Sequence, residues 1–198
     1  VLHGMLKKME QEIKDQKLKK KETLSPKEKT LIQVFTIYSI LLKIPLRNDL
    51  AGMSVISKTQ YNKLTQKEKE DGNYLVNYKN KLEFILNEYK TSKKYNEKII
   101  SIDKDLEKII RMYLRKNEGS VLFTSSTGKP YTRNALSQLL LKTSQKYLGK
   151  NISTTMIRKI VLSDLFADNK KKQQEMAEIT GHSVSTMNNV YVKEKAEE

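Results

Sequence analysis

Eleven residues near the C-terminal end, Gly181-His182-Ser183-Val184-Ser185-Thr186-Met187-Asn188-Asn189-Val190-Tyr191, group side chains that can do chemistry. Gly181 can end one helix, and Ser185 can cap the next, which would carry Tyr191. His182 is one of 2 histidines, and Tyr191 follows it by nine residues. Arginine is scarce: Arg47, Arg111, Arg115, Arg133 and Arg158 are the only ones in a lysine-rich chain. A planar, always-charged guanidinium can clamp an oxyanion through two N–H groups, which lysine cannot do. A tyrosine hydroxyl, with a pKa of about 10, becomes a nucleophile only with help from a base or nearby cations. These types together suit attack on a negatively charged ester.

Composition points the same way. The 198 residues carry 38 Lys+Arg against 23 Asp+Glu, a formal charge of +15 with pI near 9.7. Such a field attracts polyanions, of which nucleic acid is the usual one. No cysteine is present, so disulfides and thiolate metal sites are excluded. With 2 histidines a histidine-based zinc site is not expected, and no metal or other cofactor is assigned. No apolar run approaches the ~20 residues of a membrane span, and no signal-peptide pattern is present, so an intracellular protein without a membrane partner is expected.

The elements that must position these residues can be placed in order. Residues 1–24 read as a basic arm or linker, with sparse apolar positions at Met5, Met9, Ile13 and Leu18. Ser25-Pro26-Lys27-Glu28 is a helix start, and Leu31, Val34, Phe35, Tyr38, Leu41 and Leu42 recur at helical spacing up to Pro45. Arg47 follows, flanked by Leu46 and Leu50 and expected to be partly desolvated. Residues 57–72 are polar and read as an insertion or long loop. Strands are expected over 74–78, 82–89 and 98–102, forming a small three-stranded antiparallel sheet. Asp103 and Thr132 cap two further helices, with Val121-Leu122-Phe123 as a short buried strand or turn between them. Ser153 or Thr154 caps a helix bearing Arg158, Asn169 to Lys172 form a basic break, and a short helix spans 173–180.

In this order the chain resembles the catalytic domain of the tyrosine recombinases, the phage-integrase-like family. Arg47 in P-L-R-N-D-L is similar to the first arginine box, Lys90 in K-T-S-K-K to the lysine at a strand–strand turn, and Arg158 in T-T-M-I-R-K to the second arginine box. His182 in G-H-S and Tyr191 are similar to the last two motifs. The details P-L-R-N-D, N-E-Y-K-T-S-K and G-H-S look most like integrases of virophages and giant DNA viruses. The resemblance runs from about residue 30 to 193.

It implies a mainly α-helical α+β catalytic domain over 25–198, with an N-terminal DNA-binding domain expected upstream. It also implies DNA cleavage and rejoining through a 3′-phosphotyrosine, and a homo-oligomer, a tetramer on DNA. Tyr191 would be the nucleophile, Arg47 and Arg158 the phosphate clamp, Lys90 the acid for the departing oxygen, and His182 a further phosphate donor. The family commonly has histidine three residues before the second arginine; here Thr155 stands there and could donate only a hydrogen bond. The acidic residue usual three after the first arginine is also displaced, with Leu50 in that place and Asp49 one earlier. Lys93, Lys94, Lys129, Arg133 and Lys142 are expected phosphate contacts. A type IB topoisomerase, or an inactive DNA-binding module, would share much of this pattern.

Overall fold

A computed structural model describes residues 1–89, 97–180 and 183–186. The chain divides into two compact units, 1–158 and 159–198.

The first unit is built around helix α2, Pro26–Lys43. Ser25 Oγ accepts the Glu28 N–H while Glu28 reaches back to the Ser25 N–H at 2.8 Å, so both ends of the capping box close as the sequence predicts. Every residue from Leu31 to Leu42 is buried. Its polar members are satisfied without water. Thr36 and Ser39 donate back to the carbonyls of Ile32 and Phe35, while Gln33 joins Tyr113, Tyr131 and the Thr124 N–H.

Residues 1–24, expected as an arm, include helix α1, Leu2–Asp15, which packs on α2. Leu2, Met5, Met9, Ile13 and Leu18 are 0–1% exposed. The sparse apolar positions sit at spacings of four and five, so they form one stripe, and burial of that stripe offsets the entropy of ordering the segment. Met9→Ala should therefore destabilise the protein by about 2–5 kcal/mol in denaturant unfolding. A loss below about 0.5 kcal/mol, the scale of a surface change, would mean the helix is not docked in solution.

The sheet departs from the three antiparallel strands expected. It has four strands in the order β1-β2-β3-β4, with β1 Ser54–Ser57, β2 Asn73–Asn77, β3 Leu82–Leu86 and β4 Lys98–Ser101. The β2–β3 and β3–β4 pairs are antiparallel, but β1 runs parallel to β2, with Val55 opposite Leu75. A parallel pair needs a crossover of a dozen or more residues. That is what the polar stretch read as an insertion supplies: helices α3, Lys58–Lys63, and α4, Gln66–Glu70. Each opens on a capping box, Ser57 with Gln60 and Thr65 with Glu68. On its other side β1 meets the 121–123 segment through a bridge from Ser54 to Val121, and Val55 donates to Ser120 O.

Helices α5, Lys104–Lys116, and α6, Arg133–Leu148, start where predicted, on Asp103 and Thr132. Gly149 ends α6 in the left-handed region, φ 66°, which glycine enters without strain. Helix α7, Thr154–Thr180, is continuous through the expected break at Asn169–Lys172, which contains neither proline nor glycine to stop it. In the second unit, Leu162, Leu165 and Phe166 on α7 are exposed. A short helix, α8, Val184–Thr186, contains Ser185, which was expected to precede it as a cap. Among the described residues no helix is long and apolar enough to cross a membrane.

Candidate active site

Proline 45 ends α2 and leaves its own carbonyl without a helical donor. Leu46, 9% exposed, and Leu50, fully buried, then plug into the core on either side of Arg47. This forces Arg47 outward: its side chain is exposed instead of partly desolvated, on extended backbone with φ −77° and ψ −151°. The next three residues, Asn48–Leu50, form a 3-10 turn that rests on α6, where Asn48 Nδ2 donates to Ser137 Oγ at 2.7 Å.

Arg158 arrives from the other end of the unit. The chain leaves α6 at Gly149 and is caught when the Ile152 N–H donates to the buried Ser144 hydroxyl at 2.9 Å. Ser153 Oγ then accepts the Met156 N–H, which starts α7, and Ile157 is fully buried. These contacts set the rotation of the first turns. Arg158, half-buried, donates from Nε to the Pro45 carbonyl at 3.1 Å. Residues 113 positions apart in sequence thus meet, and only two residues, about 7 Å of chain, separate the acceptor from Arg47.

Neither guanidinium faces a carboxylate among the described residues. That distinguishes them from two of the other arginines. Arg111 Nε donates to Glu107 Oε1 at 2.8 Å, and its other nitrogens reach Asn77 Oδ1 and Tyr78 O, tying α5 to the sheet. Arg133 pairs with Asp49 Oδ1 at 3.2 Å and Glu88 Oε2 at 2.8 Å. Burial opposes its charge, yet the Glu88 and Asp49 carboxylates more than offset this and hold its pKa above the ordinary arginine value. Arg133, expected as a phosphate contact, forms an intramolecular brace, with its side chain 43% exposed.

The remaining expected residues divide in two. Thr155 lies exposed in the first turn of α7, three residues before Arg158, and Lys129 and Lys142 are exposed in the 124–130 loop and on α6. Lys90, Lys93, Lys94, His182 and Tyr191 lie outside the described residues. Of the described tyrosines, several are removed from contention as nucleophiles. Tyr38 and Tyr113 donate to the Leu140 and Leu122 carbonyls, and burial pushes both hydroxyl pKa values up. Burial pushes Tyr61 up to about 12, and its hydroxyl donates to Glu97.

A second set of contacts links the Arg47 segment to the end of β3 and carries no signature that periodicity could reveal. Asn73, at the start of β2 and 6% exposed, donates from Nδ2 to Glu88 O at 2.8 Å and to Asp49 O at 3.5 Å. Its Oδ1 accepts the N–H groups of Asn87 at 3.0 Å and Glu88 at 2.9 Å. In sequence Asn73 looks like one polar residue after a polar loop.

No protein-family model matches the sequence, and no curated protein matches it. Among solved structures, the crystal structure of XerA recombinase is similar, with a TM-score of 0.46 and 13% identity over 82% of this chain. The chain spans about half of that protein, 54% of its length.

Proposed function

We propose that this chain is the catalytic part of a DNA-cleaving and rejoining enzyme of the tyrosine-recombinase kind. The observation that carries the reading is the contact between the Arg158 guanidinium and the Pro45 carbonyl, two residues from Arg47. It supports a reading in which the two arginines that the sequence order singles out serve one phosphate, and neither pairs with a carboxylate among the described residues.

In this reading the scissile phosphodiester is held by the two guanidiniums through its non-bridging oxygens. Its negative charge, which repels a nucleophile, is offset there, and the added charge of the five-coordinate transition state is stabilised. The Tyr191 oxygen forms the new bond to phosphorus as its proton passes to solvent water. The bond from phosphorus to the 5′ oxygen breaks, and Lys90 supplies the proton that this oxygen needs. His182 donates a hydrogen bond to the phosphate. The 3′-phosphotyrosine keeps the ester's bond energy, so a 5′ hydroxyl of the same or a partner duplex reverses the step without an external energy source. Exchange between duplexes would take a homo-oligomer on two sites. The viral integrases are the subgroup that the P-L-R-N-D and N-E-Y-K-T-S-K stretches favour.

The test is covalent capture. A duplex nicked just beyond the cleavage site loses the released fragment and traps the intermediate. The chain should then run on a denaturing gel as a DNA-bound species that protease removes. Binding without any trapped species would make it a DNA-binding module. Relaxation of supercoiled plasmid with no strand exchange between two sites would favour the topoisomerase reading.

The exposed lysines give a separate expectation. Lys129→Ala or Lys142→Ala should weaken binding to all DNA sequences alike and reduce the salt slope of log affinity by about 1. A loss confined to one sequence would show that the residue reads bases.

A further inference from the structure

The strongest unassigned feature is the pair of side chains that bolts the Arg47 segment to the chain just ahead of Lys90. We propose that Asn73 is a positioning residue for the proton donor of strand cleavage, acting through the Asn87–Glu88 backbone with Arg133 as its outer partner. The inference rests on the cleavage reading above and adds a residue to it.

The geometry is specific. A single buried amide uses both its oxygen and its nitrogen on the exit of β3: Oδ1 takes the Asn87 and Glu88 N–H groups and Nδ2 gives to the Glu88 carbonyl. The strand ladder ends at Leu86, opposite Asn73, so these backbone groups have no strand partner there. The same Nδ2 reaches Asp49 O, two residues after Arg47. Arg133 repeats the connection from the solvent side, to the Asp49 carboxylate and to the carbonyl and carboxylate of Glu88. Asp49 and Glu88 are thus each held twice, once by an amide and once by a guanidinium. Asp49 is 5% exposed, so its carboxylate would be an uncompensated buried charge without Arg133. Asn73, 6% exposed, is buried away from any substrate. The effect of Asn73 and Arg133 is to fix, relative to the Arg47 turn, the backbone two residues before the expected acid, Lys90. A donor displaced by about 1 Å can lose on the order of 100-fold in rate, so such a brace would be felt in the chemical step.

The test separates proton donation from phosphate binding. Cleavage by the full 198-residue chain is followed in single turnover on two duplexes, one with the ordinary bridging 5′ oxygen and one with sulfur in its place. A thiol, with a pKa near ~8.5, leaves as thiolate without an acid, whereas an alkoxide does not. Asn73→Ala should cleave the oxygen substrate about 10- to 100-fold more slowly and regain nearly wild-type rate on the sulfur substrate. DNA affinity should be unchanged. Asn73→Asp, which keeps the two accepted N–H bonds and loses the donated ones, should fall between. Equal slowing on both substrates overturns the proposal, as does loss of DNA binding that accounts for the rate. Unfolding of both variants overturns it too, since Asn73 would then be a stability residue.

Hydrogen exchange keeps this outcome distinct from failure of the cleavage reading. The Asn87 and Glu88 amides should be protected in the wild type and exchange freely in Asn73→Ala. If the wild type cleaves neither duplex, the function falls and Lys90 has no acid role for Asn73 to position. If it cleaves and these amides are unprotected, the clamp itself is wrong.

Discussion

Tyr191→Phe should bind DNA within about fivefold of wild type and form no covalent complex. The substitution removes one hydroxyl and leaves the ring, so any effect on binding is limited to one hydrogen bond, about 1 kcal/mol. The effect on cleavage has no such limit, because no other group can take the place of the attacking oxygen; the loss should exceed about 10⁴-fold. The chain has 10 tyrosines, and the control must therefore be another tyrosine. Tyr147 is unsuitable, since its hydroxyl is tied to Glu12 and burial pushes its pKa up. Tyr95→Phe is the informative partner, being a tyrosine that follows two lysines and lies close in sequence to Lys90, and it should be captured as wild type is. Capture at Tyr95 in place of Tyr191 would move the nucleophile to another part of the chain.

Arg158→Ala should slow cleavage by about 10²- to 10³-fold, the scale on which one preorganised donor to a developing oxyanion acts. The comparison with stability is what makes this diagnostic. Arg158 has one internal hydrogen bond, to Pro45 O, and no carboxylate among the described residues. Its removal should therefore lower stability by only about 1 kcal/mol. A rate loss of 10²-fold or more cannot come from that. Arg158→Lys should recover little, because one ammonium cannot both hold the Pro45 carbonyl and present a planar pair of donors to phosphate. A large loss of stability with wild-type cleavage in the surviving folded fraction would make Arg158 a structural residue.

Most helix starts were legible because their capping groups are local. Ser25 with Glu28, Asp103 and Thr132 bond within three residues of themselves, so sequence alone contains the whole interaction. The same chemistry was present at Ser57 and Thr65, but with few apolar residues around it the stretch resembled a loop. Strand β1 was hidden for a different reason. Ser-Val-Ile-Ser is four residues long, and its partners Leu75 and Val76 lie 20 residues away, so no local pattern declares the pairing. The arm expected at residues 1–24 carried its apolar stripe openly, but its lysines dominated the reading.

At the site, Arg47 and Arg158 could be picked out by scarcity and order. That Arg133 pairs with Asp49 and Glu88 could not, since it depends on three segments meeting. Asn73 is the extreme case: one amide whose partners are all backbone groups, which any residues at 49, 87 and 88 other than proline could offer.

The account depends on one phosphate being shared by the arginines at 47 and 158, and a double-mutant cycle on the rate of covalent capture tests this most directly. Arg47→Ala, Arg158→Ala and the double variant are compared with wild type in single turnover. Groups acting on one transition-state charge are not independent, so the double variant should lose clearly less than the product of the single losses, with a coupling of about 1–3 kcal/mol. Losses that multiply, to within about 0.5 kcal/mol, would contradict the account, because two guanidiniums that never meet at the same phosphate would behave in that way.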